Sequence, residues 1–202
     1  MSKILSSKWT KAGVFLLSLV PMGWLVWLAL RQDLSANPIE FITHFTGDWC
    51  IRFLMVALAI TPLRLLLNQP LLTKYRRMLG LFAFFYGLVH FLVWFGIDRE
   101  FDFSGMFEDV MKRKFVTVGM LSLLVMLALA ITSTAGWVKR LGWKRWQNLH
   151  KLVYLAGVAA VVHYYWLVKS DIRAPLRYAG IFAVLMAYRA ISASRKSTRL
   201  RP

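Results

Sequence analysis

Four histidines, His44, His90, His150 and His163, are the side chains of this 202-residue chain best suited to hold a metal or move a proton near neutral pH. Two of them lie where an imidazole is least expected. His90 falls inside an uncharged run from Met78 to Ile97, and His163 inside another from Leu152 to Val168. Both runs read as membrane helices, in which an unbonded imidazole is costly. At 1.5 Å per residue His90 lies roughly 18 Å above Met78, and His163 roughly 20 Å above His150. Two imidazoles at one depth on different helices point to a shared partner. A b-type haem needs such a pair facing across an apolar and aromatic slot, and Phe84, Phe85, Phe91, Trp94, Tyr164 and Trp166 flank the two histidines in sequence. The alternative is that each ring bonds a neighbouring hydroxyl while the aromatic residues serve helix packing.

Composition supplies the elements that would position these rings. Hydrophobic residues make up 58% of the chain and aromatic residues 15%, more than a soluble domain of this length needs for its core. A helix of about 20 apolar residues spans a bilayer, because every backbone amide there must find its partner within its own segment. Six stretches qualify: 12–30, 49–67, 78–97, 115–138, 150–168 (with its apolar run starting at Leu152) and 174–191. In the sixth, Arg177 and Arg189 sit near opposite ends, where long side chains can snorkel to the interfaces. The expected fold is all-α and integral to the membrane, a single domain over 1–202, since nothing repeats and no connection is long enough to fold separately. Lys3, Lys8 and Lys11 precede the first stretch as in a signal peptide. Its length and its Trp24 and Trp27 exceed a typical h-region, so it reads as an uncleaved helix. The single cysteine, Cys50, excludes an internal disulfide, and no glycine-rich nucleotide loop is present.

A net charge of +17 would suggest a nucleic-acid partner for a soluble protein, but its distribution here points to lipid instead. Place the N-terminus, the loops around Lys74 and Arg140, and the C-terminus on one side. That side then holds seventeen Lys and Arg, including Arg76 and Arg77, and no acid; the other holds all 9 Asp and Glu with the remaining bases. The cationic side is expected to be the cytoplasm, with both termini inside, as an even number of spans also requires. The longest outer connection, Asp98 to Lys114, alternates acids with Phe101, Phe103 and Phe107. It reads as an ordinary interfacial loop or as a short amphipathic piece on the outer surface.

The other two histidines are less readable. His150 stands 13 residues before His163, which turns an ideal helix by about 1300° and leaves the rings roughly 140° apart rather than on one face. Tilt, a distortion near Gly157, or two macrocycles on different sides would reconcile them. His44 is placed just outside the second helix, as a cap or surface residue, with an outer-site role as the alternative.

Several local motifs follow one another along the chain: His44-Phe45-Thr46-Gly47, Ile60-Thr61-Pro62-Leu63, Gln69-Pro70-Leu71-Leu72, Arg76-Arg77-Met78-Leu79-Gly80-Leu81, His90, Thr132-Ser133-Thr134, Leu141-Gly142, Trp146-Gln147-Asn148-Leu149-His150-Lys151-Leu152-Val153-Tyr154 and His163-Tyr164. In these residues, and over nearly its whole length, the chain resembles the MsrQ family. These are haem-binding membrane subunits of periplasmic methionine sulfoxide reductase systems, within the ferric reductase-like superfamily. The resemblance implies a bacterial inner-membrane protein with haem b between His90 and His163, and a second, inner haem at His150. The superfamily pattern places a further histidine 14 residues before the ligand on the third helix, where this chain has Arg76. A guanidinium offers donors and no lone pair, so Arg76 or Arg77 suits the carboxylates of an inner haem rather than its iron. The resemblance also implies FMN binding, with quinol or a cytosolic flavin reductase as electron donor. The acceptor it implies is a periplasmic molybdopterin-containing methionine sulfoxide reductase, which carries the substrate chemistry, so no residue here is expected to be catalytic.

Two rival classes remain: a transporter using the histidines as a proton relay, and a metal-ion reductase acting alone. A Soret band separates the first from a haem protein, and deletion of the outer partner tests the second. The cationic side should steer an acidic donor at low salt. Raising ionic strength toward 0.1 M, where screening sets in over about 10 Å, should therefore slow haem reduction by a soluble flavin reductase. A rate indifferent to salt would leave those cations a role in topology alone.

Overall fold

The computed structural model describes residues 7–198. Its helices are α1 (Lys8–Leu30), α2 (Pro38–Leu66), α3 (Thr73–Val93, continued by a π-helical turn over Trp94–Asp98), α4 (Phe103–Lys112), α5 (Lys114–Ile131), α6 (Ala135–Leu141), α7 (Trp143–His150), α8 (Val153–Leu167) and α9 (Arg173–Thr198). There is no strand among the described residues. Four stretches are long and apolar enough to cross a membrane: Lys8–Leu30, Pro38–Leu66, Pro70–Asp98 and Lys114–Ile131. The other two expected spans are weaker. With 15 residues, α8 extends about 22 Å, short of a hydrocarbon layer about 30 Å thick, and α9 carries Arg173, Arg177 and Arg189. Lys3, Arg199 and Arg201, counted on the cationic side, lie outside the described residues.

Polar chemistry sets the boundaries that the apolar pattern misplaces. α2 begins well before the expected 49–67 because the Asn37 side chain accepts from the Glu40 amide at 3.3 Å and Pro38 takes a first-turn position that needs no N–H. His44 consequently lies within α2, exposed, and is not a cap. α5 stops at Ile131, short of the expected 138. There the Thr132 and Ser133 hydroxyls donate back to the carbonyls of Ala128 and Leu129, both at 2.7 Å, and Thr134 caps α6. The expected 150–168 helix is broken by a turn at Lys151–Leu152. His150 and His163 therefore do not share one continuous helix, and they line two different cavities.

The most extensive packing joins α2 to α3 and α5 to α8, and the two pairs touch each other less. In the first pair Phe53 stacks on Tyr86 at 5.2 Å. Tyr86, fully buried, also ties in α1: its hydroxyl donates to the Ser18 carbonyl at 2.9 Å and accepts from the Met22 amide at 3.2 Å. It thereby replaces a helical bond beside Pro21, where the proline already loosens the ladder. In the second pair the buried Ser122 hydroxyl donates to the Ala156 carbonyl at 2.9 Å. Gly157 lets α9 approach α8, since a Cβ there would lie 2.4 Å from the Phe182 ring.

Gly157→Leu should therefore force α9 off α8 and destabilise the protein by about 1–3 kcal/mol. Ser122→Ala, which removes a single interhelical hydrogen bond, should lose only about 0.6 kcal/mol. Thermal unfolding of the purified protein in detergent checks both; a larger loss for Ser122→Ala would reverse the ranking.

Candidate functional site

Between the two helix pairs lies a cavity of about 210 Å³ lined from α2, α3, α5 and α8. His90 comes from one pair and His163 from the other. Their ring centroids are 6.2 Å apart and their planes nearly perpendicular, at 84°. His90 Nδ1 donates to the Thr43 carbonyl at 2.8 Å, and His163 Nδ1 donates to the Phe115 carbonyl at 2.7 Å. With the proton held at Nδ1, each neutral ring keeps its lone pair on Nε2.

A local device repeats on both sides. A helical carbonyl has a second lone pair beyond the one used by the amide four residues on, but a side chain on that next turn would obstruct it. Here the next turn carries glycine: Gly47 four residues after Thr43, and Gly119 four residues after Phe115. A Cβ at Gly47 would lie 3.1 Å from the His90 ring, and one at Gly119 only 2.5 Å from His163 Nδ1. The imidazoles occupy the space these glycines leave.

The slot suits a metal held inside a planar ligand. A metal bonded to an imidazole on each face, at about 2 Å per bond, calls for ring centres about 6 Å apart. No group of three His, Cys, Asp or Glu capable of holding a bare ion occurs among the described residues, so the equatorial positions would have to be filled by another ligand, as in haem. The walls, including Ile51, Phe91, Trp94, Leu123 and Met126, are apolar; His44 and Asp48 also line the cavity, and no Lys or Arg does.

A second cavity, of about 330 Å³, brings together His150, Arg76, Arg77, Lys151 and Arg189 with no acid among its lining residues. His150 Nε2 lies 3.3 Å from the Thr132 hydroxyl, whose own proton goes to the Ala128 carbonyl, so Nε2–H donates and the lone pair is left on Nδ1. Trp146 covers His150 with centroids 4.0 Å apart and donates its indole N–H to the Thr132 carbonyl. No second histidine faces it. Arg189, expected only to snorkel, reaches the Tyr154 hydroxyl and the Leu58 carbonyl, and its buried Nε has no partner. Met126 lines both cavities. The residues that sequence reasoning missed are Thr43, Phe115, Gly119 and Arg189. The first two act through backbone carbonyls, which leave no side-chain signature, whereas Gly47 lay unexplained inside the His44-Phe45-Thr46-Gly47 motif.

A family model described as ferric reductase like transmembrane component matches residues 12–161, ending just before His163. Among similar proteins, one from Caulobacter vibrioides is 43% identical, covering 94% of this chain and 90% of its own length. One from Herminiimonas arsenicoxydans is 47% identical, covering 94% and 88%. A third, from Rhodospirillum rubrum, is 46% identical, covering 92% and 89%. Each bears the name protein-methionine-sulfoxide reductase heme-binding subunit MsrQ.

If the pair holds a haem iron, His90→Ala and His163→Ala should each abolish the low-spin spectrum, and to a similar extent, because one imidazole cannot supply two axial bonds. Gly119→Ala should nearly match them by displacing His163, while Gly47→Ala, with its milder 3.1 Å approach, should keep most of the haem. Optical spectra with haem counted per chain give the answer, and a wild-type spectrum in either histidine variant would remove the pairing.

Proposed function

The chain belongs to the ferric reductase-like transmembrane family and to its MsrQ branch of heme-binding subunits, and we propose that it carries electrons across the bacterial inner membrane to a periplasmic molybdopterin methionine sulfoxide reductase. The observation that carries this reading is the facing His90–His163 pair with both Nδ1 protons committed to backbone carbonyls. Haem b, when bound, supplies one-electron redox chemistry. His90 and His163 would hold it through Nε2, with Gly47 and Gly119 giving the rings their room between largely apolar walls. The reaction on methionine sulfoxide belongs to the partner, so the chain is an electron-transfer subunit rather than the catalyst.

The donor in this reading is quinol or a cytosolic flavin reductase at the cationic side. Six spans with both termini cytoplasmic, within one domain, accord with the confinement of all 9 acids to the opposite side. The cavity around Arg76, Arg77, Lys151 and Arg189 has the charge to hold the carboxylates of a second, inner haem, or the phosphate of FMN. His150 would then hold the inner haem's iron, and no second histidine lines that cavity. Met126, shared by both cavities, makes the two sites adjacent along one path.

The deciding measurement is the spectrum of the purified protein. A Soret band with at least one haem per chain is expected; its absence would favour a transporter with a proton relay. A system that still reduced metal ions but needed no periplasmic partner would favour the stand-alone reductase. His150→Ala should remove only a substoichiometric component, and Arg76→His, which restores a lone pair 14 residues before His90, should raise inner occupancy toward a second bis-histidine spectrum. Two equally tight low-spin haems in the wild type would sink this role for Arg76.

A further inference from the structure

We propose that Phe103, Phe107 and Met111 on the outward face of α4, with Phe101 in the turn before it, form the docking surface for the electron acceptor, a protein presenting an apolar centre with a basic rim. The proposal rests on the reading above, in which electrons leave toward a soluble reductase.

α4 is turned inside out. Its Asp109, 7% exposed, points into the protein and pairs with Arg99 and Arg113. Along the other side Phe103, Phe107 and Met111 recur every four residues, on one edge of the helix, and stand 68%, 66% and 70% exposed. An ion pair inside and a phenylalanine stripe outside reverse the usual partition, which marks a surface that something covers.

Charge favours a protein over lipid as that cover. Helices that lie in the headgroup region are rich in Lys and Arg on their polar face and are drawn to anionic lipid. Here Asp98, Glu100 and Asp102 are exposed and have no ion-pair partner among the described residues. Of the bases nearby, Lys112 pairs with Glu108 and Arg99 and Arg113 pair with Asp109, which leaves Lys114 alone against three unpaired acids among the described residues. The rim is left acidic on a chain of net charge +17, which repels anionic headgroups and complements a basic partner.

The patch is also the outer side of the wall that lines the histidine slot. Phe91 and Trp94 line the slot and pack together at 6.0 Å. Phe95 stacks on Phe91 at 5.7 Å and meets Phe101 at 5.4 Å and Phe103 at 5.0 Å. Glu100 and Phe101 hold φ of 48° and 62°, a conformation rarely adopted by a bulky residue, and the Phe101 ring lies over Gly96. That strain presents Phe101 beside the stripe, where side-chain packing through Phe95 leads back to Phe91 and Trp94 in the slot wall.

The test uses full-length haem-loaded protein in nanodiscs, reduced and mixed with the source organism's own periplasmic methionine sulfoxide reductase. Phe107→Ser with Met111→Ser should slow second-order haem oxidation by roughly tenfold or more, as truncating interface anchors does, with an unchanged haem spectrum. Glu100→Lys with Asp102→Lys should slow it less and weaken its salt dependence. Wild-type rates in both variants would overturn the docking surface while leaving the proposed function intact. No oxidation of the wild type by the reductase would overturn both. An environment-sensitive dye on Phe107→Cys, with Cys50 buried, separates the covers. Its emission should shift when the reductase is added and resist quenching by brominated lipid. Strong lipid quenching that the reductase does not relieve would assign the stripe to the bilayer.

Discussion

An imidazole N–H buried among apolar helices must be given an acceptor, and the acceptors still open on a helix are the second lone pairs of its carbonyls. His90 and His163 both meet this constraint, and in the same way. Each ring reaches across to the helix packed most closely against its own, and each reaches a carbonyl bared by a glycine on the next turn: Thr43 with Gly47, Phe115 with Gly119. The consequences spread outward. Both rings are locked in the tautomer that leaves Nε2 open, and both are keyed to their own helix pair. The 6.2 Å between them is then set by how the α2/α3 pair and the α5/α8 pair lean on each other.

The two cavities differ in kind because their polar groups are satisfied differently. The first has largely apolar walls, no Lys or Arg, and two histidines whose Nε2 lone pairs stay open, an environment for a neutral or metal-centred face. The second concentrates four cations and no acid, and its histidine is already engaged by Thr132 and covered by Trp146. Arg76, Arg77 and Lys151 are exposed while Arg189 is half-buried, and a charge withdrawn from water needs hydrogen bonds or a counter-ion to compensate it. Arg189 has both kinds of demand, since Tyr154 and Leu58 take up two of its nitrogens while Nε is left without a partner. An anionic group in that cavity would complete the compensation.

Departures from regular helix coincide with these sites. The break at Lys151–Leu152 separates the helix that carries His150 from the one that carries His163. The π-helical turn at Trp94–Asp98 follows His90 by one helical turn and brings Trp94 to the slot and Phe95 to the outer aromatic cluster. Such irregular segments in an apolar environment survive only where side chains or neighbouring backbone satisfy the freed groups. The Thr132-Ser133-Thr134 run does so directly, with hydroxyls closing α5 and opening α6.

Hydropathy and depth were readable from the chain alone. The apolar runs identify helices bound for lipid, because burial in hydrocarbon depends on composition and length rather than on which neighbours are present. Counting residues along two such runs was enough to put His90 and His163 at one level, since the rise per residue is constant. The ends of the helices were less legible: Asn37 and Pro38 start α2 early, and Thr132 ends α5 early, through hydrogen bonds that hydropathy does not weigh. Tertiary structure alone decided which carbonyl receives each imidazole, and therefore which nitrogen stays open. Every residue carries the same carbonyl, so Thr43 and Phe115 differ from their neighbours only in what packs beside them. The same holds for Arg189 and for the outward phenylalanines of α4, whose side chains are named by the sequence but whose surroundings come from helices distant along the chain.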